Sequence, residues 1–308
     1  MAQTVWTVLA LIRWADERFK KEGIPNPRLD AEVLLAETLG LDRVGLYTHF
    51  DQPLQPDELA RFKQFILRRL RREPVAYILG RKEFWSLLIR VSPDVLIPRP
   101  ETETLVAEAL KVLAPAGKED LRLLEIGTGS GAISIALARE QPAARITASD
   151  ISPKALSVAK ENAEHNGVRE RIRFVQGDLF QPVPKGETFD LVVSNPPYIT
   201  QAEISSLTPE VRDYEPRVAL NGGKDGLDFF RRALPSVNEY LRPGGWFLAE
   251  MGAGQDSQVL KIAEKNRDLD SFGFAEDLSG IPRVFKARRR QNPQTQAANN
   301  KCIPAKDI

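Results

Sequence analysis

The stretch Leu121-Arg122-Leu123-Leu124-Glu125-Ile126-Gly127-Thr128-Gly129-Ser130-Gly131 decides how the rest of the chain reads. Its first six residues are a mostly apolar run of the length of a buried strand. The glycines that follow permit a sharp turn and a close approach of backbone to ligand. A helix is expected from there to about Glu140. Downstream the alternation repeats. Arg145 to Ser149 reads as a strand ending at Asp150, and Pro153 to Asn166 as a helix with a first-turn proline and Gly167 as its stop. Arg171 to Gln176 reads as a strand ending at Gly177-Asp178. Phe189 to Ser194 is a further strand, ending at Asn195-Pro196-Pro197-Tyr198. A helix over Leu227 to Leu241 and a strand over Trp246 to Glu250 complete a fifth unit. Such an alternation makes the fold class α/β: a mostly parallel sheet covered by helices on both faces.

Upstream, residues 1–85 read as a small all-helical domain. Val5, Val8, Leu9 and Ile12 share one helical face, and Leu29 to Leu41 suits a second, buried helix stopped by Gly40. Leu59, Phe62, Phe65, Ile66 and Leu70 mark a third. Arg68, Arg69, Arg71 and Arg72 crowd its end, where cations suit the helix dipole or could meet an acidic partner. Residues 86–289 form the α/β domain. The tail, Arg290 to Ile308, is rich in Asn, Gln, Ala and Pro and is expected to be disordered.

Composition narrows the chemistry. The 308 residues carry 43 basic and 42 acidic side chains, so the net charge of +1 gives no general pull toward nucleic acid or an anionic membrane. The only cysteine, Cys302, excludes an intrachain disulfide and speaks against a cysteine-bound metal, and no metal is expected. His49 is expected in a loop and His165 on a helix surface, so a His-based triad has little material. The apolar stretch Val5 to Ile12 is too short to span a bilayer and reads as a helix face.

In a parallel sheet, ligands bind beyond the carboxyl ends of the strands. The glycine loop (Gly127, Thr128, Gly129, Ser130, Gly131), Asp150, Asp178 and Asn195 all fall there. Asp150 can hold both hydroxyls of a ribose. Asp178 can accept from an adenine amine, and Leu179 can cover the adenine ring. The loop spacing is Gly-x-Gly-x-Gly, which departs from the pyrophosphate-binding fingerprint. These features suit S-adenosylmethionine, whose sulfonium needs no phosphate cradle. Asn195-Pro196-Pro197-Tyr198 answers a second need. An amide nitrogen is a poor nucleophile because its lone pair is delocalised. The Asn195 side-chain oxygen and a backbone carbonyl beside it can both accept from one NH2 group and aim its lone pair. The prolines stiffen that turn, and Tyr198 offers a flat face to a planar group.

At this point the chain resembles the peptide chain release factor N5-glutamine methyltransferases. Ile97-Pro98-Arg99-Pro100-Glu101-Thr102-Glu103 is similar to that family's interdomain motif, Glu125 to Gly131 to its cofactor loop, and Asn195 to Tyr198 to its substrate motif. Tyr214-Glu215-Pro216-Arg217, Gly222 to Asp228, and Asp277-Leu278-Ser279-Gly280 with Arg283-Val284 are similar to later segments. The resemblance implies a seven-stranded Rossmann-like methyltransferase sheet behind a helical domain that recognises the protein substrate. It implies methyl transfer from S-adenosylmethionine to the glutamine of a Gly-Gly-Gln loop in class I release factors, with S-adenosylhomocysteine as product. Asn195, Pro196 and Tyr198 would carry catalysis; Pro197, Arg99 and Glu101 would join them in holding substrate. Arg99, Glu101 and Glu103 could instead be an ion-pair cluster. A cytoplasmic monomer without stable nucleic-acid or membrane binding is expected.

The same turn would serve a DNA adenine-N6 methyltransferase, which must flip and read its base and usually carries a basic surface for it. A ribosomal-protein glutamine methyltransferase, a silent cofactor-binding module and a nicotinamide-dependent oxidoreductase are the remaining alternatives.

Overall fold

The structure is a computed structural model that describes residues 5–114 and 120–291. The tail from residue 292, with Cys302, lies outside the described residues. Two compact units are present. The chain up to Arg81 forms the first together with Thr208–Tyr214; Lys82–Leu207 and the chain from Glu215 onward form the second.

Five helices build most of the first unit: α1 (Val8–Lys21), α2 (Pro27–Leu39), α3 (Arg43–Thr48), α4 (Pro56–Leu70) and α5 (Val75–Leu79). The helix expected from Val5 starts instead at Val8. Thr7 caps it, accepting from the Ala10 N–H at 3.3 Å, and Val5 is exposed. Gly40 ends α2 in the left-handed conformation, φ 67°, as expected of a C-cap. Val8, Phe19, Leu34, Phe62 and Ile66 fuse the helices into one core. The arginine cluster after α4 is engaged within the unit. Arg68 pairs with Glu73 at 2.5 Å, and Arg69 reaches Asp30 at 2.7 Å and Glu210 at 2.8 Å. Arg72 takes the other Glu210 oxygen at 2.8 Å. These three guanidiniums therefore answer internal carboxylates, which corrects the reading of an external acidic partner for them. Glu210 itself comes from α9 (Pro209–Arg212).

A hairpin that the sequence does not announce follows, β1 (Arg81–Phe84) and β2 (Leu87–Arg90). Its two turn residues, Trp85 and Ser86, have φ of 53° and 56°, the left-handed geometry that a two-residue hairpin turn requires. After α6 (Glu103–Leu113) come β3 (Leu121–Ile126), α7 (Ala132–Glu140), β4 (Ala144–Asp150), α8 (Pro153–His165), β5 (Ile172–Gln176) and β6 (Phe189–Ser194). The single helix expected over Leu227 to Leu241 is two, α10 (Asp228–Ala233) and α11 (Val237–Tyr240), broken around Pro235, which cannot continue the hydrogen-bond ladder. β7 (Leu241–Glu250), α12 (Asp256–Ala263), β8 (Leu269–Glu276) and β9 (Pro282–Arg289) close the chain.

One seven-stranded sheet results, in the order β5-β4-β3-β6-β7-β9-β8. The pairs from β5 through β7 are parallel, and β9 runs antiparallel between β7 and β8. The chain builds outward from β3 in one direction and from β6 in the other. The switch point therefore lies between these two strands, where a crevice opens beyond their carboxyl ends. A core of Phe180, Phe189, Phe230, Phe247 and Phe285 packs the β6-β7-β9 side. Phe285 is fully buried, with the rings of Phe230, Phe247, Phe272 and Phe274 around it. Phe285→Ala removes that hub and should lower unfolding free energy by about 3–5 kcal/mol, read as a shifted urea midpoint at unchanged slope.

Candidate active site

The crevice at the switch point is a cavity of about 400 Å³. Its floor is the glycine loop between β3 and α7. Gly127, Gly129 and Gly131 have φ of 72°, 54° and 83°, and nothing lies within 4 Å of where a Cβ would stand on the first two. The backbone there is thus bare toward a ligand. The loop is pinned from the β4 side: Gly127 and Thr128 donate their N–H groups to the Ser149 carbonyl at 2.9 Å each, and Gly129 donates to Asp150 Oδ2 at 2.8 Å.

Glu125 holds the loop from beneath. Its Oε2 accepts from the Thr128 hydroxyl at 2.7 Å, the Ser134 N–H at 3.1 Å and the Ser134 hydroxyl. Complete burial pushes its carboxyl up to about 7, against these hydrogen bonds. In the sequence, Glu125 is signalled only as an acid inside an apolar strand.

Asp150 is also raised by burial, while the Ser152 and Gly129 N–H groups oppose the shift. Each of its oxygens already holds one backbone N–H, from Gly129 and from Ser152 at 2.8 Å. Spare lone pairs remain for a ribose diol. Asp178 lines the same cavity, but its Oδ2 is taken by the Arg232 guanidinium at 2.5 Å. Its Oδ1 remains open as an acceptor, and Arg232, from α10, is a cavity residue that local sequence could not reveal. Leu179, with φ of 50°, and Phe229 supply apolar wall. Asp94, Asp150, Asp178 and Asp228 face the cavity with Arg232 the one basic side chain among its described lining. That imbalance suits a cationic ligand such as a sulfonium, so the residues fit S-adenosylmethionine.

On the opposite wall the Asn195 turn leaves β6. The Asn195 Nδ2–H donates to Thr102 Oγ1 at 3.0 Å, and its Oδ1 has no hydrogen-bond partner among the described residues. Pro196 and Pro197 line the cavity, and Tyr198 is not among its lining residues. The Tyr198 hydroxyl donates to Glu250 Oε1 at 3.2 Å, and its carbonyl accepts from Gln255 Nε2 at 3.1 Å. Burial first, and Glu250 second, push the phenol well above its usual range. Arg99 and Glu101 are also absent from the cavity wall. The alternative of an Arg99-Glu101-Glu103 ion-pair cluster is not what the structure has. Arg99 pairs with the buried Glu215 at 2.5 Å, Glu101 is exposed, and Glu103 accepts the Trp85 N–H at 2.8 Å.

A second loop braces the turn. Ile199 and Gly222 exchange backbone bonds with it, Ile199 N–H to Leu220 O at 3.1 Å and Gly222 N–H to Ile199 O at 2.8 Å. A Cβ on Gly222 would stand 2.8 Å from Pro197 O, Tyr198 Cα and Gly226 Cα, all backbone.

A carboxylate-lined crevice at this switch point, with a bare glycine loop on one side and an Asn-Pro-Pro-Tyr turn on the other, defines a Rossmann-like methyltransferase. Comparison with known proteins agrees and narrows the class. The profile of the PrmC N-terminal domain matches residues 10–80, and that of the methyltransferase small domain matches residues 102–211. The release factor glutamine methyltransferase of Geobacter sulfurreducens is 46% identical over 92% of this chain and 97% of its own length. That of Rhodopirellula baltica is 39% identical over 93% and 97%. Among solved structures, the hMettl16 catalytic domain in complex with a MAT2A 3′UTR hairpin shares the fold, with a TM-score of 0.53 at 17% identity, covering 77% of this chain and 82% of that one. The chain belongs to the release factor glutamine methyltransferase family.

Gly222→Ala must displace the Asn195 turn. It should reduce methyl transfer at least about tenfold through misplacement of the turn and destabilise the fold by about 1–3 kcal/mol. Steady-state turnover and thermal unfolding of the same preparation check both.

Proposed function

We propose that this chain methylates the side-chain nitrogen, N5, of the glutamine in the Gly-Gly-Gln motif of class I peptide chain release factors, with S-adenosylmethionine as donor. The observation that carries the reading is the Asn195 amide. Its N–H is spent on Thr102, so its oxygen is available to a donor in the cavity. A glutamine NH2 is such a donor. Family membership supports the same substrate class.

Bound S-adenosylmethionine supplies an electrophilic methyl group. The chain's own task is orientation. Asn195 Oδ1 and the Pro196 carbonyl accept the two N–H bonds of the glutamine and direct its lone pair. Orientation of this kind can account for several orders of magnitude in rate. Tyr198 acts indirectly, through the placement of the turn, since its hydroxyl is committed to Glu250. No strong base need act before transfer, because the methylated amide nitrogen sheds its extra proton readily. Asp150 and the glycine loop serve the ribose side. Arg99 shapes the cavity indirectly through Glu215, which also accepts the Ile97 N–H at 3.2 Å. The release factor is the expected partner, met in the cytoplasm by a monomer.

Labelled S-adenosylmethionine offered with release factor, its Gly-Gly-Gln Gln→Ala variant, ribosomal protein and duplex DNA tests the proposal. Label on intact release factor alone is expected; label on DNA or ribosomal protein alone contradicts it. Asn195→Ala should keep cofactor affinity within a few-fold while turnover falls by about 10²-fold or more.

A further inference from the structure

The Tyr198 end of the Asn-Pro-Pro-Tyr turn is held by Gln255, which takes no part in the mechanism above. β6 and β7 run in parallel register with Ser194 opposite Ala249, so the Asn195 turn and the connection from β7 to α12 leave the sheet side by side. Gln255 closes that connection, immediately before α12. Its backbone is fixed there. Its N–H donates to the Gly252 carbonyl at 3.2 Å, and its carbonyl accepts from the Gln258 and Val259 N–H groups at 3.1 and 2.9 Å.

The side chain turns back toward the substrate side of the sheet. Gln255 Oε1 accepts the Gly252 N–H at 2.8 Å. Its Nε2 donates to the Tyr198 carbonyl at 3.1 Å and to the Gly226 carbonyl at 3.5 Å. A carboxamide has an acceptor at one end and two donors at the other. One neighbour here donates and two accept, so only one flip of the amide satisfies all three. Packing is close as well. A Cβ on Gly226 would stand 2.2 Å from the Tyr198 carbonyl oxygen and 2.3 Å from Gln255 Nε2, and one on Gly252 would stand 3.1 Å from Gln255 Cδ. Glycine at both positions lets the two loops close on the amide. Although Gln255 occupies the N-cap position of α12, its side chain gives the helix no capping hydrogen bond. The amide therefore serves the loops, not the helix.

We infer that Gln255 is a positioning residue for methyl transfer, whose amide ties Tyr198 to the Gly226 loop and thereby holds the Asn195 oxygen and the Pro196 carbonyl in place. The inference rests on the proposed glutamine reaction. The turn is anchored at both ends: Thr102 takes the Asn195 N–H at 3.0 Å, and Gln255 takes the Tyr198 carbonyl. The two prolines between them have fixed φ, so a shift at Tyr198 is passed on rather than absorbed. Without the Gln255 donors, the Tyr198 and Gly226 carbonyl oxygens face each other unpaired and move apart. A misplacement of about 1 Å at the reacting nitrogen can cost about 10²-fold in rate. The glycine loop is pinned separately, by Ser149 and Asp150, and does not depend on Gln255.

The test is kcat and KM for methylation of release factor, with S-adenosylhomocysteine affinity measured on the same preparations, for wild type, Gln255→Glu, Gln255→Met, Asn195→Ala and the double variant Asn195→Ala/Gln255→Met. Gln255→Glu keeps the shape and the acceptor for Gly252 but neither donor; Gln255→Met removes the donors without adding charge. In both, kcat should fall at least about tenfold, while KM and S-adenosylhomocysteine affinity stay within about threefold. In the Asn195→Ala background, Gln255→Met should cost at most about threefold more, because the group that it helps to aim is already gone. Full kcat in Gln255→Met, a loss carried by KM or by cofactor affinity, or a double-variant loss equal to the product of the two single losses overturns the positioning role and leaves the glutamine reaction standing. Wild type that labels no release factor overturns both.

Discussion

The pairing of β3 with β6 is the constraint on which the site depends. Ile126 lies opposite Ser194 in a parallel register, and the Ser194 hydroxyl donates to the Ile126 carbonyl at 2.7 Å. The next residues, Gly127 and Asn195, therefore leave the sheet side by side. One begins the glycine loop and the other the Asn-Pro-Pro-Tyr turn. A slip of one residue would send every side chain of the strand to the opposite face, and the loop and the turn would no longer face one cavity. β4 is tied in the same manner, by the Ser149 hydroxyl donating to the Glu125 carbonyl at 3.1 Å, which brings Asp150 to the same rim.

Around this rim the fold tolerates several buried carboxyls. Glu125, Asp150, Glu215 and Glu250 are all pushed upward by burial. Burial without compensation would be prohibitive, and each is compensated differently. Glu125 has hydroxyls and an N–H, Asp150 has backbone N–H groups, Glu215 has Arg99, and Glu250 has Tyr198 with an oxygen to spare. The first three hold loops in shape. The fourth accepts from the Tyr198 hydroxyl, at the end of the Asn-Pro-Pro-Tyr turn.

The parts of this arrangement visible in sequence are those set by local rules. Apolar runs ended by Gly, Asp or Asn-Pro announced β3 to β6, and the groups at their ends proved to share one rim. Pro235 could have announced the break between α10 and α11. The β1-β2 hairpin was hidden because Trp85 and Ser86 are poor indicators of a left-handed turn. β9 sets its charged residues at half-buried positions and buries Val284 and Phe285 in succession, so its alternation is weak. What sequence could not give was pairing at a distance. Arg99 finds Glu215 across 116 residues, and Arg232 finds Asp178 across 54. Asn195 finds Thr102 across 93 residues, and Tyr198 finds Glu250 across 52.

The most direct test of the central claim is a crystal structure with S-adenosylhomocysteine and a Gly-Gly-Gln peptide bound. The account predicts the glutamine side-chain nitrogen within hydrogen-bond distance, about 3 Å, of both Asn195 Oδ1 and the Pro196 carbonyl, with Thr102 still accepting from Asn195. A glutamine nitrogen held by other groups, or an Asn195 amide turned nitrogen first toward it, would contradict the account.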